Sequence, residues 1–440
     1  MATERKNLLQ LFIPISLETL CFMLTGMVDT MMLSSVDDAA VGAVGTANTY
    51  IGVFIIMFNI ISAGMVAVMT QYIGAGKPGI AYQARQLGAA FNAVLGILLS
   101  LFLFFFSGNI LEIVGVAPLL MGYAKTYLQI VGGFCILNAL MPIFSSYLRA
   151  FGYTKQPLYA TLSANVLNLV LNAFFLFVMK WGVAGVAIAT VISRVVNLLI
   201  IMLCSRVLIH AKENPDRINN GEILRQIVKI GLPSACETAL YNIAMTLTIR
   251  FLNQMDPDGI NVTARSYALQ ITNFSYCVGA ALAQANAILT GWRVGAKDYD
   301  ACDRGTKKAA LIGIVVATIL ESLFAIFSAQ IMRLFSDDPV IISLVGKLLV
   351  IDIVLEIGRV SNLVFGQALK TSGDAIFPTV IAAVFMYLCM VFGTYVLGIH
   401  FGLMAVGAYI AMACDECVRA VCMFARWQTG KWRQKGLIQE

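Results

Sequence analysis

Apolar residues run through this chain in long blocks, and polar residues gather in short clusters between them. The blocks lie near 8–34, 42–72, 87–107, 119–147, 157–180 and 184–206, then near 226–252, 264–291, 309–333, 340–368, 378–398 and 402–425. Each is about 20 residues or more, enough helix to cross a hydrocarbon layer ~30 Å thick. Clusters such as Gly76-Lys77-Pro78, Asp256-Pro257-Asp258-Gly259 and Ser336-Asp337-Asp338-Pro339 punctuate the blocks. The pattern predicts an all-α integral membrane protein of twelve transmembrane helices.

Composition strengthens this reading. Of 440 residues 59% are hydrophobic and 12% charged, where a soluble domain carries about a quarter charged. Charge position then sets orientation. Most Lys and Arg, including Arg5, Lys6, Lys77, Arg85, Arg149, Lys155, Arg206, Lys212, Arg217, Arg293, Lys297, Lys370 and Arg426, fall on one set of alternate loops. The opposite set holds Lys125, Lys180, Arg250, Arg265, Arg333 and Lys347. Cytoplasmic loops keep the positive excess, so both termini are expected in the cytoplasm of a multi-pass cell-membrane protein. The net charge of +6 is thereby a topology signal, and no nucleic-acid partner is expected. The first block is too long for the core of a signal peptide and lacks a small-residue cleavage site, so it is expected to remain as the first span.

The ten cysteines lie mainly within spans and read as small hydrophobes. Cys414 and Cys417 form a C-x-x-C without a second pair or a nearby His, so neither a metal site nor a cofactor is expected. The two histidines, His210 and His400, fall on a polar linker and an outer loop. No catalytic cluster is visible, and the chain is not expected to be an enzyme.

An internal repeat organises the twelve spans. Pro14, Glu18 and Thr19 match Pro233, Glu237 and Thr238; Leu148, Arg149, Gly152 and Pro157 match Leu369, Lys370, Gly373 and Pro378; Thr70 and Lys77 match Thr290 and Lys297. The order is preserved at offsets of 219, 221 and 220 residues. Six spans per half make this a parallel repeat, with two six-helix lobes around a central cavity. The expected division is an N-terminal lobe 1–206, a cytoplasmic linker 207–225, and a C-terminal lobe 226–440 with a short cytoplasmic tail. Pro14 and Pro233 lie inside spans, where each breaks a helical hydrogen bond. Each reads either as a static kink or as a hinge.

Ionisable residues within spans mark candidate pathways, because the bilayer makes them costly. They are Glu18, Asp29, Glu237, Glu321, Asp352, Glu356, Asp415 and Glu416. Asn165, Asn168 and Asn172 of the fifth span, with Thr190 of the sixth, are candidate partners for Asp29. Such oxygens either hold a small hard cation or tune one carboxylate for a proton; as the alternative, the asparagines join helices. Asp352, Glu356, Arg359 and Asn362 follow one another at steps of four, three and three along one stripe of the tenth span, with Glu356 and Arg359 expected to pair. Glu237 has no obvious local partner.

In order and spacing these fragments resemble the multidrug and toxic compound extrusion (MATE) transporters over essentially the whole chain. The resemblance rests on Pro14-x-x-x-Glu18 followed by Val28-Asp29-Thr30, Leu148 to Pro157 leading into the asparagine-rich span, and Trp181 to Thr190. It extends through Pro233 with Glu237, and Glu356-x-Gly358-Arg359-x-x-Asn362 before Leu369 to Asp374. It implies an antiporter that exports amphipathic, often cationic, compounds against H+ or Na+ by rocking two lobes. In the first lobe it implies an ion site at Asp29, Asn168, Asn172 and Thr190, with Asn172 where the family has a second acid. In the second it implies Glu237 as the seventh-span acid, with Asp352 and Glu356 near the tenth-span acid and Arg359 close to that acid's position. The expected partners are a small amphipathic substrate and the lipid bilayer, with the chain working as a monomer. A flippase for a lipid-linked or other large amphiphile is the alternative.

Overall fold

The computed structural model describes residues 6–34, 38–211, 216–256 and 258–438. Arg5, Lys212 and Pro257, which entered the reading of topology and loops, lie outside the described residues. Among those described, the chain forms twelve helical rods and no strand: α1 (Leu8–Ser34), α2 (Asp38–Gly74), α3 (Pro78–Val114), α4 (Pro118–Gly132 with Cys135–Ala150), α5 (Lys155–Val178), α6 (Gly182–Leu208), α7 (Asn220–Met255), α8 (Ile260–Gly295), α9 (Tyr299–Ile326), α10 (Pro339–Thr371), α11 (Ile376–His400) and α12 (Met404–Gln428). Each predicted block finds its rod.

The rods outrun the blocks. α3 has 37 residues, roughly 55 Å at 1.5 Å per residue, whereas its apolar block covered only 87–107. Polar residues at the ends of a span continue the helix into the headgroup region, so hydropathy locates the middle of each rod better than its ends. Local chemistry sets the ends. Pro78 opens α3 and Gly115, at φ 75°, closes it by returning its N–H to the carbonyls of Leu111 and Glu112. Asp338 caps α10, accepting the Val340 N–H at 2.8 Å. The ninth block, expected as one helix to 333, breaks at Phe327, and a separate turn Ser328–Met332 follows. α4 bends by 44° between Gly132 and Cys135.

Burial runs opposite to that of a soluble protein. Phe22, Phe105, Val166, Leu203, Leu311, Val350 and Phe392 are exposed, while Thr70, Asn92, Asn172, Thr248, Glu321 and Glu356 are buried. Lipid is the solvent this surface fits, because a bilayer accepts apolar side chains and excludes unsatisfied polar groups.

The chain divides into two compact units, residues 1–232 and 233–440. The division falls inside α7 at Pro233, not in the polar segment ahead of that helix. That segment's described part is tied to the first unit by Gln83, whose amide donates to the Ile218 carbonyl at 2.8 Å and to Asn220 at 2.5 Å. Also in the first unit, Gly64 of α2 and Gly231 of α7 bring the two backbones so close that a Cβ on either would strike a carbonyl of the other helix. In the second unit α10 is the central rod, packed against α8, α9 and α12.

Candidate functional site

In the first unit α1 and α5 bring an acid against two amides. Asn172 Nδ2 donates to Asp29 Oδ1 at 2.6 Å and to Asn168 Oδ1 at 3.2 Å. The spacing i, i+4 places both amides on one face of α5, and both are buried. Asn165, one turn earlier, donates to the Cys21 carbonyl at 3.0 Å and so joins α5 to α1. Thr190 is buried nearby on α6, but its hydroxyl donates to its own helix, to the Val186 carbonyl at 2.9 Å. Two groups absent from the sequence reading face this acid: Tyr127 of α4, which also faces Thr190 and Asn48, and Arg194 of α6, within electrostatic reach of Asp29. Arg194 lies one turn beyond Thr190, a spacing that was available to find it.

A second motif occurs once in each unit. Arg149 Nη2 pairs with Glu18 Oε1 at 2.7 Å, and Lys370 Nζ pairs with Glu237 Oε2 at 2.8 Å. Glu18 is buried in this pair. Glu237, without an obvious local partner, finds a distant one: the fold sets an acid on one rod beside a base at the end of another, 133 residues apart in sequence. The repeat itself held the signal, since acid and base recur together at nearly the same offset. Pro14 lies one turn before Glu18 and Pro233 one turn before Glu237, both inside unbroken helices. The Gln10 carbonyl, which a Pro at 14 leaves without its helical donor, accepts the Thr154 hydroxyl at 3.4 Å.

The second unit contains a buried charge network on α10 and α12. Glu356 and Arg359 pair as their spacing predicts. Arg359 Nε also lies 3.7 Å from Glu416, and Asn362 Nδ2 donates to Glu416 Oε2 at 3.0 Å. Arg419, absent from the sequence reading although it stands three and four residues beyond two acids, pairs with Asp415 at 2.6 Å and Glu416 at 2.8 Å. The two helices meet closely at Gly358, where a Cβ would lie 2.7 Å from the Cys417 backbone nitrogen. Asp352, on the same stripe of α10, is 1% exposed and has no hydrogen-bond partner among the described residues. Arg265, placed by the charge pattern on an outer loop, is instead inside α8, 4% exposed, with Met245 Sδ at 3.5 Å from Nη2.

The MatE family model matches residues 14–174 and 233–396, one match in each half of the chain. The chain belongs to the MATE family. It is 32% identical over 442 residues to YisQ of Bacillus subtilis, described as an uncharacterized transporter, covering 99% of this chain and 97% of that one. It is 24% identical over 457 residues to a Thermotoga maritima protein named "Probable multidrug resistance protein NorM", covering 99% and 94%. Among solved structures it matches an outward-facing MATE transporter with a TM-score of 0.84 at 20% identity, over 98% of this chain and 96% of that one. The twelve-helix, two-lobe fold expected from the sequence is that of these MATE structures. MATE proteins are multi-pass membrane transporters of small organic compounds rather than enzymes.

Proposed function

We propose that this chain is a secondary antiporter that exports amphipathic organic compounds in exchange for protons or sodium ions. The observation that carries the reading is Asp29, an acid within a transmembrane rod whose carboxylate is held by Asn172, itself held by Asn168. Neutral amides stabilise the acid without cancelling its charge, and Arg194 acts on it electrostatically from α6, which leaves the carboxylate open to an ion. An antiporter needs such a group, because only an ion that binds the inward-open and outward-open states differently transmits its gradient to the export step.

Asp29, Asn168, Asn172 and Thr190 are the coupling site of the first lobe on this reading. Glu237, Asp352, Glu356 and Arg359 belong to the second, and Pro14 and Pro233 are the bends. The lobes are 1–206 and 226–440, joined by a cytoplasmic linker 207–225, in a monomer with both termini in the cytoplasm of the cell membrane. Arg359 is matched by Glu356 and Glu416. That neutralisation supports a cationic or neutral substrate over recruitment of an anion by this arginine.

The test is uptake of a fluorescent organic cation into inside-out vesicles under an imposed proton gradient or an imposed sodium gradient. Uptake driven by one gradient and lost in Asp29→Asn is the expected result. Equal uptake in wild type and variant under both gradients overturns the assignment of Asp29.

A further inference from the structure

Glu321 has no task in the reading above, and it lies within electrostatic reach of Asp352, which has one. Glu321 of α9 and Asp352 of α10 are 0% and 1% exposed. All four of their carboxylate oxygens lack a hydrogen-bond partner among the described residues. Both face Arg359 and Glu356 of α10, and they face each other closely enough to interact electrostatically. Ser275 of α8 stands against Glu321. Tyr409 of α12 interacts electrostatically with both acids and with Arg265 of α8, and Tyr241 of α7 with Arg265 and Arg359.

Charge counting shows what the pair lacks. Arg359 serves Glu356 and Glu416, while Arg419 serves Asp415 and Glu416. Two arginines therefore already answer three acids, and Arg265 contacts no carboxylate among the ion pairs of the described residues, its Nη2 lying 3.5 Å from Met245 Sδ. Buried acids that outnumber their cations are costly to keep ionised, and taking up a proton removes that cost. A proton does this without further ligands. A metal ion needs several oxygens around it, which makes the proton the simpler ligand for this pair.

We propose that Glu321 and Asp352 form a proton-binding site inside the second unit, separate from Asp29 and built on a ninth-span residue. Each carboxylate takes one proton from water and returns it to water when solvent reaches the site. Its use in driving export rests on the antiporter reading; its protonation does not.

The test is infrared difference spectroscopy of the purified full-length protein in lipid nanodiscs between alkaline and acidic buffer, in potassium chloride. A carbonyl stretch of protonated carboxylic acid, shifting in heavy water, is expected from wild type. It should lose part of its intensity in Glu321→Gln, part in Asp352→Asn, and both parts in the double variant. Both substitutions keep side-chain volume, and each variant is scored only with a wild-type elution profile; if one fails to fold, the other carries the test. An unchanged band in the variants overturns the proposal. So does a band removed by replacing potassium with sodium at constant pH, which assigns the site to a metal cation. Lost intensity with undiminished transport supports the proton site and refutes only its role in coupling.

Discussion

Arg419 offers the sharpest test of how the second unit is held together. Its guanidinium reaches both oxygens of Asp415, Nε at 3.1 Å to each and Nη2 at 2.6 Å to Oδ2, and it reaches Glu416 at 2.8 Å. All three residues are buried. Arg419→Met removes the cation, keeps much of the stem's volume and strands Asp415, while Glu416 keeps Asn362 and Arg359. Breaking a buried pair from one side costs about 3–5 kcal/mol, against about 0–1 kcal/mol for a surface pair. At 1.4 kcal/mol per tenfold, the folding equilibrium constant falls by a factor of roughly a hundred to several thousand. The assay is thermal unfolding in detergent, followed by thiol labelling of Cys302 and Cys277, both buried in the second unit. Adding Asp415→Asn should recover a large part of the loss, since the unpaired acid causes it, and the double-mutant cycle isolates that coupling. A loss below about 1 kcal/mol for Arg419→Met would refute the reasoning, because it would mean that water already reaches the network.

Three further outcomes follow from the same geometry. Asn172→Asp places a second carboxylate against Asp29, so transport should become more dependent on cation concentration; an unchanged dependence in the vesicle assay counts against a cation-responsive site. Arg149→Met should cost about 3 kcal/mol by stranding the buried Glu18, and the exchanged pair Glu18→Arg with Arg149→Glu should regain most of it, as read from melting curves of purified protein. Gly358→Ala forces a methyl against the backbone of α12 and should cost about 1–3 kcal/mol through overpacking; a variant as stable as wild type would show that α10 and α12 separate there without penalty.

Each layer of this molecule was legible in proportion to how local its cause is. The twelve rods follow from apolar blocks, because a bilayer demands that every backbone N–H be satisfied within its own segment. The pairing of Glu356 with Arg359 follows from helical spacing. Helix ends and the π-helical turns at Phe174–Val178 and Met386–Val391 were not legible, since hydropathy is flat across them. Between rods, the amides of the asparagine-rich span were legible as partners for Asp29 because a buried acid needs donors, whereas the repeated acid and base pairs were not read as pairs. Arg149 and Lys370 read as loop charges until folding set them beside Glu18 and Glu237. Arg265 misled the charge count because a buried arginine and a loop arginine look alike in a string of letters.

The two units share a frame and differ in what they bury. Each has its proline, an acid one turn on, and a base from its own fourth rod closing on that acid, so the ion pair predates the divergence of the halves and belongs to the common architecture. The acids deeper in the rods are not repeated: Asp29 corresponds to Thr248, which spends its hydroxyl on the Ala244 carbonyl, while Glu356 and Arg359 correspond to Cys135 and Asn138. A scaffold duplicated with its ion pairs intact, then given one amide-held acid on one side and an arginine-bridged network on the other, can bind ions independently in its two halves. If it does, Asp29→Asn should leave the proton signal of Glu321 and Asp352 intact, and Asp352→Asn should leave the Asp29 site able to respond to cations. Loss of both responses in either variant would mean that the two halves titrate as one.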